Sequence, residues 1–275
     1  GNVTYETTYN LQGGKILSTT FISYKPDGNI DRKSLTSVSY EGDYPKEITH
    51  TESITNGEKK NYTETYSYVD GKLKTTIKKY DNSDRATTTT YSYHNDGKLA
   101  KVLFEEPGNA GQNGQIEKIT FVTETDYTHT GNVISAAEKR YTKDAQGNKR
   151  DGNTSLTTYT YTFENENLIK KTENSTEYNS TTEYTYDGKN NPLFQNFKKL
   201  IDPDYFNDAK NSKNNILTRK ITTKYNYNNS TIVKEYVYEH TYADNNYPLT
   251  EKVFDKTTEN GVEKKELDHT TEYTY

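Results

Sequence analysis

Histidine is the side chain most often used for metal binding and for proton transfer near neutral pH. The chain contains five, at His50, His94, His129, His240 and His269. No two of them stand at a metal-ligand spacing such as H-E-x-x-H. His94 and His240 continue the alternating faces of predicted strands, so we interpret them as surface or pleat positions. The histidines therefore predict neither a metal site nor a catalytic base.

Clustered carboxylates are the other candidate for chemistry. Asp202, Asp204 and Asp208 could offer the oxygen ligands that calcium prefers. The EF-hand spacing is absent, however, and Pro203 stands between the first two acids. We interpret this cluster as the end of a helix followed by a loop, with no metal bound.

A glycosidase pair would need two carboxyl groups held about 5–10 Å apart across a cleft. Glu105 and Glu106 could be proposed, but so could many other pairs in a chain where Glu and Lys are interleaved. No G-x-S-x-G, P-loop or dinucleotide fingerprint is present. Cysteine is absent, which excludes disulfides, thiolate metal sites and a cysteine nucleophile. We therefore expect no catalytic residues, no cofactor and no enzyme activity.

Many of the 27 tyrosines form rows with a spacing of two, as at Tyr66 and Tyr68 or Tyr159 and Tyr161. On a strand this spacing places successive rings on one face. Exposed rings could stack on sugars, since a tyrosine offers an apolar face and a polar tip. We expect instead that most of the rings form the core of a sheet that is poor in aliphatic residues.

One unit positions these rings and recurs along the chain. In Thr90–Leu99 two tyrosines on one face are followed by Asp96-Gly97, a strong signal for a tight turn, and then by a return strand. Such hairpins joined end to end give an antiparallel meander. We count about 15–17 strands of about eight to eleven residues, more than an open twisted sheet comfortably holds. The prediction is an all-β, up-and-down meander closed as a wide barrel; a single long curved sheet is the alternative.

Two segments depart from the strand pattern. Asn191 and Pro192 suit a helix start, and the apolar residues that follow recur at helical spacing. We predict one short helix over 192–201 that caps or plugs the barrel. The segment 107–114 is predicted to be a glycine-rich loop. No linker rich in Pro, Gly or Ser divides the chain, so residues 1–275 are predicted to form a single domain.

Composition limits the partners. The net charge is −5 and the chain has no basic stripe, so we expect no nucleic acid. No apolar run is long enough for a membrane helix. The strand faces carry Thr, Lys and Glu where a transmembrane barrel needs apolar side chains, so we expect no membrane-spanning segment. The hydrophobic fraction of 29% is low, but the density of Tyr, Thr, Ile and Val predicts an ordered sheet protein.

The repeats resemble known families. Tyr66-Ser-Tyr-Val-Asp-Gly-Lys-Leu73 and Tyr91-Ser-Tyr-His-Asn-Asp-Gly-Lys-Leu99 resemble the YD/Rhs-like signature, although their spacing is irregular and Lys or Asn replaces the usual arginine after Asp-Gly. Together with the Tyr44-Pro45 and Tyr247-Pro248 turns and the Asn-Pro-Leu-Phe segment that ends at Phe194, they are more similar to secreted proteins and lipoproteins of Bacteroidetes. That family of unknown function is described as having a porin-like β-barrel fold and has no known catalytic residues.

The resemblance implies a non-catalytic, extracytoplasmic protein that is outer-membrane-anchored, displayed at the cell surface or secreted. Its role would be structural or ligand-binding, with a carbohydrate as the first ligand to test and a surface protein as another partner. A lipid anchor would precede residue 1. Two alternatives stay open: a glycoside-acting enzyme, and a shell or scaffold piece built from YD repeats.

Overall fold

In this computed structural model, residues 5–13, 15–54, 57, 60–83, 85–112, 115–150, 154–194, 203–259 and 262–274 are described. Seventeen strands occur in this part of the chain. In chain order they are β1 Tyr5–Gln12, β2 Lys15–Tyr24, β3 Ile30–Glu41, β4 Tyr44–Ile54, β5 Tyr62–Val69, β6 Lys72–Tyr80, β7 Ala86–Tyr93, β8 Leu99–Gln112, β9 Gln115–Thr130, β10 Val133–Lys143, β11 Ser155–Glu164, β12 Asn167–Asn174, β13 Tyr178–Tyr186, β14 Ile216–Tyr225, β15 Thr231–Tyr242, β16 Pro248–Glu259 and β17 Val262–Thr274.

Each strand pairs antiparallel with the next, from β1 to β17. The two end strands also pair with each other, in parallel, and this closes the barrel. In a meander with an odd number of strands the first and last run in the same direction, so closure requires one parallel pair. The prediction of an all-β meander closed as a wide barrel is confirmed, and the open curved sheet is wrong.

Aromatic side chains hold the parallel β1–β17 pair, which we call the seam. The rings of Tyr9 and Tyr273 stack with their centroids 5.7 Å apart. Tyr5 stacks on His269, and its hydroxyl lies 2.6 Å from His269 Nδ1. Burial raises the pKa of Tyr5 and of Tyr9 to about 12, which keeps both phenols neutral over the physiological range.

Because successive strands run in opposite directions, their connections lie alternately at the two ends of the barrel. Those that follow odd-numbered strands lie at one end, which we call the rim, and those that follow even-numbered strands lie at the other. The rim includes the longest connection, residues 187–215 between β13 and β14, which we call the insert.

The rim hairpins share a local distortion. In seven of the eight rim connections the register shifts by one residue next to the turn, so that an inward side chain before the turn stands opposite an aliphatic or proline after it. The pairs are Leu11 with Ile16, Tyr40 with Pro45, Tyr68 with Leu73, Tyr93 with Leu99, Phe163 with Leu168, Tyr186 with Ile216 and Tyr242 with Pro248. The residues after the turn are all buried. These bulges therefore concentrate the scarce aliphatic side chains in a ring inside the rim.

Hydrogen bonds donated by tyrosine hydroxyls and histidine rings, which we call ring donors, join one rim hairpin to the previous one. The ladder between hairpins stops two residues before the buried aliphatic, as at Thr75 opposite Thr90 before Leu73. The carbonyl of that aliphatic then accepts a hydrogen bond from an aromatic side chain of the next hairpin. The bonds are Tyr40 to Ile16 at 2.8 Å, Tyr93 to Leu73 at 2.8 Å, His129 to Leu99 at 2.8 Å, Tyr186 to Leu168 at 2.6 Å and His240 to Ile216 at 2.9 Å.

Described residues of the insert pack inside the barrel at the rim. Phe206 packs edge-on against Tyr127 and Tyr161 of the wall, with centroids 5.5 and 5.7 Å away. Phe206 lies in the first of two short 3₁₀ turns, Tyr205–Asn207 and Ala209–Asn211, that the sequence did not predict. The rings of Tyr91, Tyr127, Tyr161 and Tyr238 are buried around this plug, so the prediction of a tyrosine core is confirmed for these residues.

The helix predicted over 192–201 is described only at its start. Residues 192–194 are helical, and Leu193 N donates to the Asn191 side chain at 3.0 Å, as expected of an N-cap. Residues 195–202 lie outside the described part of the chain, so the extent of the helix stays a prediction. Within the described residues, no helix is long and apolar enough to cross a membrane.

The loop predicted over 107–114 is wrong for residues 107–112, which continue β8 and pair with β9. The glycine has a packing role here, because a Cβ on Gly108 would lie 2.4 Å from the Phe121 ring. Glycine in a strand can allow such a close approach instead of ending the strand. Residues 113 and 114 lie outside the described part.

The hydrogen bond from Tyr93 to the Leu73 carbonyl predicts a stability difference. Tyr93→Phe keeps the ring but leaves that carbonyl without its partner, so we expect a loss of about 1–2 kcal/mol in unfolding free energy. Tyr227→Phe is the matched control, since Tyr227 is 78% exposed, and it is expected to change stability by less than about 0.5 kcal/mol. Urea unfolding followed by circular dichroism measures both. Equal unfolding free energies for the two variants would contradict the conclusion that the hydrogen bond from Tyr93 to the Leu73 carbonyl stabilises the barrel.

Candidate functional site

A cavity lies at the rim, between the hairpin turns and the insert. It has a volume of about 640 Å³, within the range of small-molecule sites. Its lining comes from the turns after β3, β5, β7, β9 and β11 and from the insert. We call it the rim cavity. Because the walls belong to one barrel and the floor to its plug, the cavity needs no domain movement to form.

Aromatic rings make up much of the cavity wall. Tyr44 and Tyr68 pack against each other with centroids 5.0 Å apart, and Tyr44 remains 40% exposed. Tyr93 and Phe163 point inward because of the rim bulges described above. Tyr205 of the insert faces them from the floor. These rings offer flat apolar surfaces to a ligand while the cavity stays open to water.

Polar side chains stand at the mouth and on the floor. Lys72 and Lys98 each follow an Asp-Gly turn, and Lys72 Nζ lies 5.3 Å from the centre of the Tyr93 ring. Asn165 and Glu166 form the turn after β11. Asp208 comes from the insert, where one of its oxygens accepts a hydrogen bond from Lys210 N at 2.9 Å. This mixture of ammonium, amide and carboxylate groups around aromatic walls suits a ligand rich in hydroxyl groups.

The turn residue Glu166 has an unusual backbone. Asn165 and Glu166 both have positive φ, at +50° and +66°. This is the pattern of a type I′ turn, whose second position favours glycine. The corresponding turn after β5, Asp70-Gly71, has glycine there, with φ of +72°. Glu166 therefore holds a strained conformation beside the cavity, where its carboxylate pairs with Lys213 at 3.3 Å.

The five histidines do not meet in this site. Each contacts a residue of another strand: His50 the Thr36 hydroxyl, His94 the Tyr127 carbonyl, His129 the Leu99 carbonyl, His240 the Ile216 carbonyl and His269 the Tyr5 hydroxyl. Burial lowers the pKa of His50 and of His269 below the ordinary value. His129 lines the rim cavity, but its Nε2 is committed to the Leu99 carbonyl.

Two of the three acids of the predicted cluster, Asp204 and Asp208, are described, and each has a structural role. Asp202 lies outside the described residues. Burial raises the pKa of Asp204, whose carboxylate accepts hydrogen bonds from Tyr127 and Asn207 and does not line the rim cavity. Asp208 caps a 3₁₀ turn. Among the residues that the structure describes, no three His, Asp or Glu side chains are grouped to hold a metal ion.

Glu105 and Glu106 do not form a carboxylate pair, because neighbours on a strand point to opposite faces. Glu105 pairs with Lys143 at 2.7 Å, whereas Glu106 stands opposite Phe121 in the β8–β9 pair. Neither lines the rim cavity. The cavity residues Lys72, Lys98 and Glu166 were missed as a site by sequence reasoning. The signal was the repeated turn itself, since turns after alternate strands of a meander must meet at one end.

Comparisons with solved structures found similarity to porin-like proteins. A porin-like protein from Bacteroides vulgatus ATCC 8482 is 16% identical, with 97% of this chain and 98% of the other aligned and a TM-score of 0.35. A porin-like protein from Bacteroides uniformis ATCC 8492 is 11% identical, with 92% and 88% aligned and a TM-score of 0.40. No protein-family model and no curated protein matches the sequence. The barrel of this chain is established by its own strand pairing, and the YD/Rhs-like and lipoprotein resemblances stay predictions.

The strained turn predicts that glycine at position 166 stabilises the protein. Glu166→Gly removes the strain of a positive φ, worth about 1–2 kcal/mol, and loses a half-exposed ion pair worth about 0–1 kcal/mol. Glu166→Ala is the control, because it loses the same ion pair and keeps the strain. We expect the glycine variant to exceed the alanine variant by about 1 kcal/mol in unfolding free energy, measured by urea titration. An alanine variant as stable as the glycine variant would show that the turn carries no strain.

Proposed function

We propose that this protein is a non-catalytic, extracytoplasmic barrel of a single domain that binds a saccharide in the rim cavity. The observation that carries the proposal is the combination of exposed tyrosine faces with amide, carboxylate and ammonium groups in one preformed cavity. Sugar rings present C–H faces that pack on aromatic rings and hydroxyl groups that need polar partners. A surface protein is the alternative partner.

Binding is favoured over glycoside chemistry by the state of the polar groups. Of the carboxylates that line the cavity, Glu166 is paired with Lys213 and Asp208 caps a turn. Among the described residues, the carboxyl whose pKa is raised by burial is Asp204, which accepts a hydrogen bond from Tyr127 and is not among the residues that line the cavity. A general acid would need a raised pKa and a place beside the ligand.

The outer face of the barrel supports a location in water rather than in lipid. Lys170, Glu183, Lys220, Glu235 and Lys256 lie side by side across five strands on the face that points away from the plug. Lys220 and Lys256 lie 3.3 and 3.7 Å from Glu235. A lysine on the lipid face of a membrane barrel costs about 2–4 kcal/mol at the midplane. We therefore propose that the strands do not span a membrane, and that any attachment to a cell surface is made by other means.

A glycan array followed by calorimetry tests the proposal. We expect at least one class of saccharide to bind, and Tyr44→Ala to weaken that binding about tenfold, the equivalent of about 1.4 kcal/mol of lost ring contact. Tyr227→Ala is the matched control, because Tyr227 is exposed in the β14–β15 connection at the end of the barrel opposite the rim. It is expected to bind as the wild type does.

Two results would contradict the proposal. If the wild-type protein bound none of the glycans, a saccharide would be excluded as the ligand. If Tyr44→Ala bound a glycan as tightly as the wild type, the rim cavity would be excluded as its binding site. Incubation of a bound glycan with the protein distinguishes binding from glycoside hydrolysis, because hydrolysis would release new reducing ends.

A further inference from the structure

A second recess lies on the inner wall, away from the rim cavity. It has a volume of about 180 Å³ and shares no lining residue with the rim cavity. Its lining comes from β12, β13 and β14 and includes Lys171, Glu173, Tyr184 and Arg219. Tyr184 also packs against the core around the plug, which identifies this face of the three strands as the inner one.

Arg219 lines this recess and has no hydrogen-bond acceptor among the described residues. Its guanidinium lies 4.0 Å above the Tyr236 ring, and Nε is buried with no hydrogen-bond acceptor. Among the described residues no side chain or carbonyl accepts a hydrogen bond from Arg219, and no carboxylate pairs with it. Its neighbour Lys220, on the outer face, is paired with Glu235 at 3.3 Å. A buried guanidinium N–H without an acceptor is unusual in a folded protein.

The charged side chains of the lining, Lys171, Glu173 and Arg219, leave the recess with a net positive charge. Lys171 Nζ lies over the rings of Tyr159 and Tyr161, and no carboxylate pairs with it among the described residues. Glu173 is the one acid of the lining, and it accepts a short hydrogen bond of 2.5 Å from Tyr178, which raises the pKa of that phenol to about 12. Two cations therefore face the recess, and its carboxylate is already engaged.

We infer that this recess binds the carboxylate of a small anionic ligand, with Arg219 as the bidentate donor and Lys171 as the second positive charge. The planar guanidinium matches a carboxylate with two parallel hydrogen bonds. The hydroxyl groups of Ser180 and Thr182 line the same recess, and Tyr184 offers an aromatic face. An acidic sugar such as a uronic acid combines the three features. This inference does not depend on the saccharide proposed for the rim cavity.

Titration calorimetry at low salt with sodium glucuronate tests the inference, with glucose as the probe that lacks the carboxylate. We expect glucuronate to bind the wild-type protein with an affinity that falls as salt is added, and Arg219→Gln to weaken it at least tenfold. Arg219→Lys keeps the positive charge but lacks the planar guanidinium, so its affinity for glucuronate is expected to lie between those of the wild type and Arg219→Gln. Lys220→Gln, one residue away on the outer face, is the matched control and should stay within twofold of wild type.

Three results would overturn the inference: no binding of glucuronate by the wild type, equal binding by Arg219→Gln, or equally tight binding of glucose. Loss of glucuronate binding in Tyr44→Ala with retention in Arg219→Gln would place the ligand in the rim cavity and not in this recess. Thermal unfolding of each variant verifies the fold, and Arg219→Lys keeps the test decisive if Arg219→Gln is unstable.

Discussion

The parallel pairing of β1 with β17 is the constraint on which the rest of this structure depends. Without it, a meander of seventeen strands has two free edges and no defined inside. With it, one face of every strand is directed to an enclosed space, and all connections after odd-numbered strands meet around one opening. Among the described residues, two aromatic contacts bridge the seam, Tyr5 with His269 and Tyr9 with Tyr273, and they accompany the parallel register of β1 with β17.

Closure explains how a chain with a hydrophobic fraction of 29% can have a core. The rim bulges place a set of buried aliphatic and proline residues, such as Leu73 and Leu168, at one level of the barrel. Tyrosine supplies the remaining apolar surface, and its hydroxyl satisfies carbonyls that the strand ladders leave free. Farther from the rim the inner wall is polar, and charged groups such as Lys171 and Arg219 face a recess there. One end of the barrel is therefore packed around the plug, and the wall beyond it is available for binding.

Much of the fold follows from local sequence, and the site does not. The Asp-Gly turns and the rows of alternating tyrosines predict hairpins, and the number of hairpins predicts closure. The one-residue bulge at Tyr93 and Leu99 leaves no local signal, because either register keeps an apolar residue near the turn. The strand through Gly108 was missed because its reason is the Phe121 ring of a partner strand. The rim cavity joins Lys72, Lys98 and Glu166 from three different hairpins, so their proximity depends on the direction of every strand between them.

Crosslinking at the seam tests closure most directly, and the absence of native cysteine makes the test clean. Thr8 and Glu272 are paired across the seam on the outer face. Neighbouring strands lie about 4.8 Å apart, within the range that a disulfide spans. The closed barrel predicts that Thr8→Cys with Glu272→Cys forms an intramolecular disulfide under mild oxidation, seen by mass spectrometry, and that Thr8→Cys with Lys220→Cys does not. Free thiols in the first variant, with the protein folded, would mean an open curved sheet.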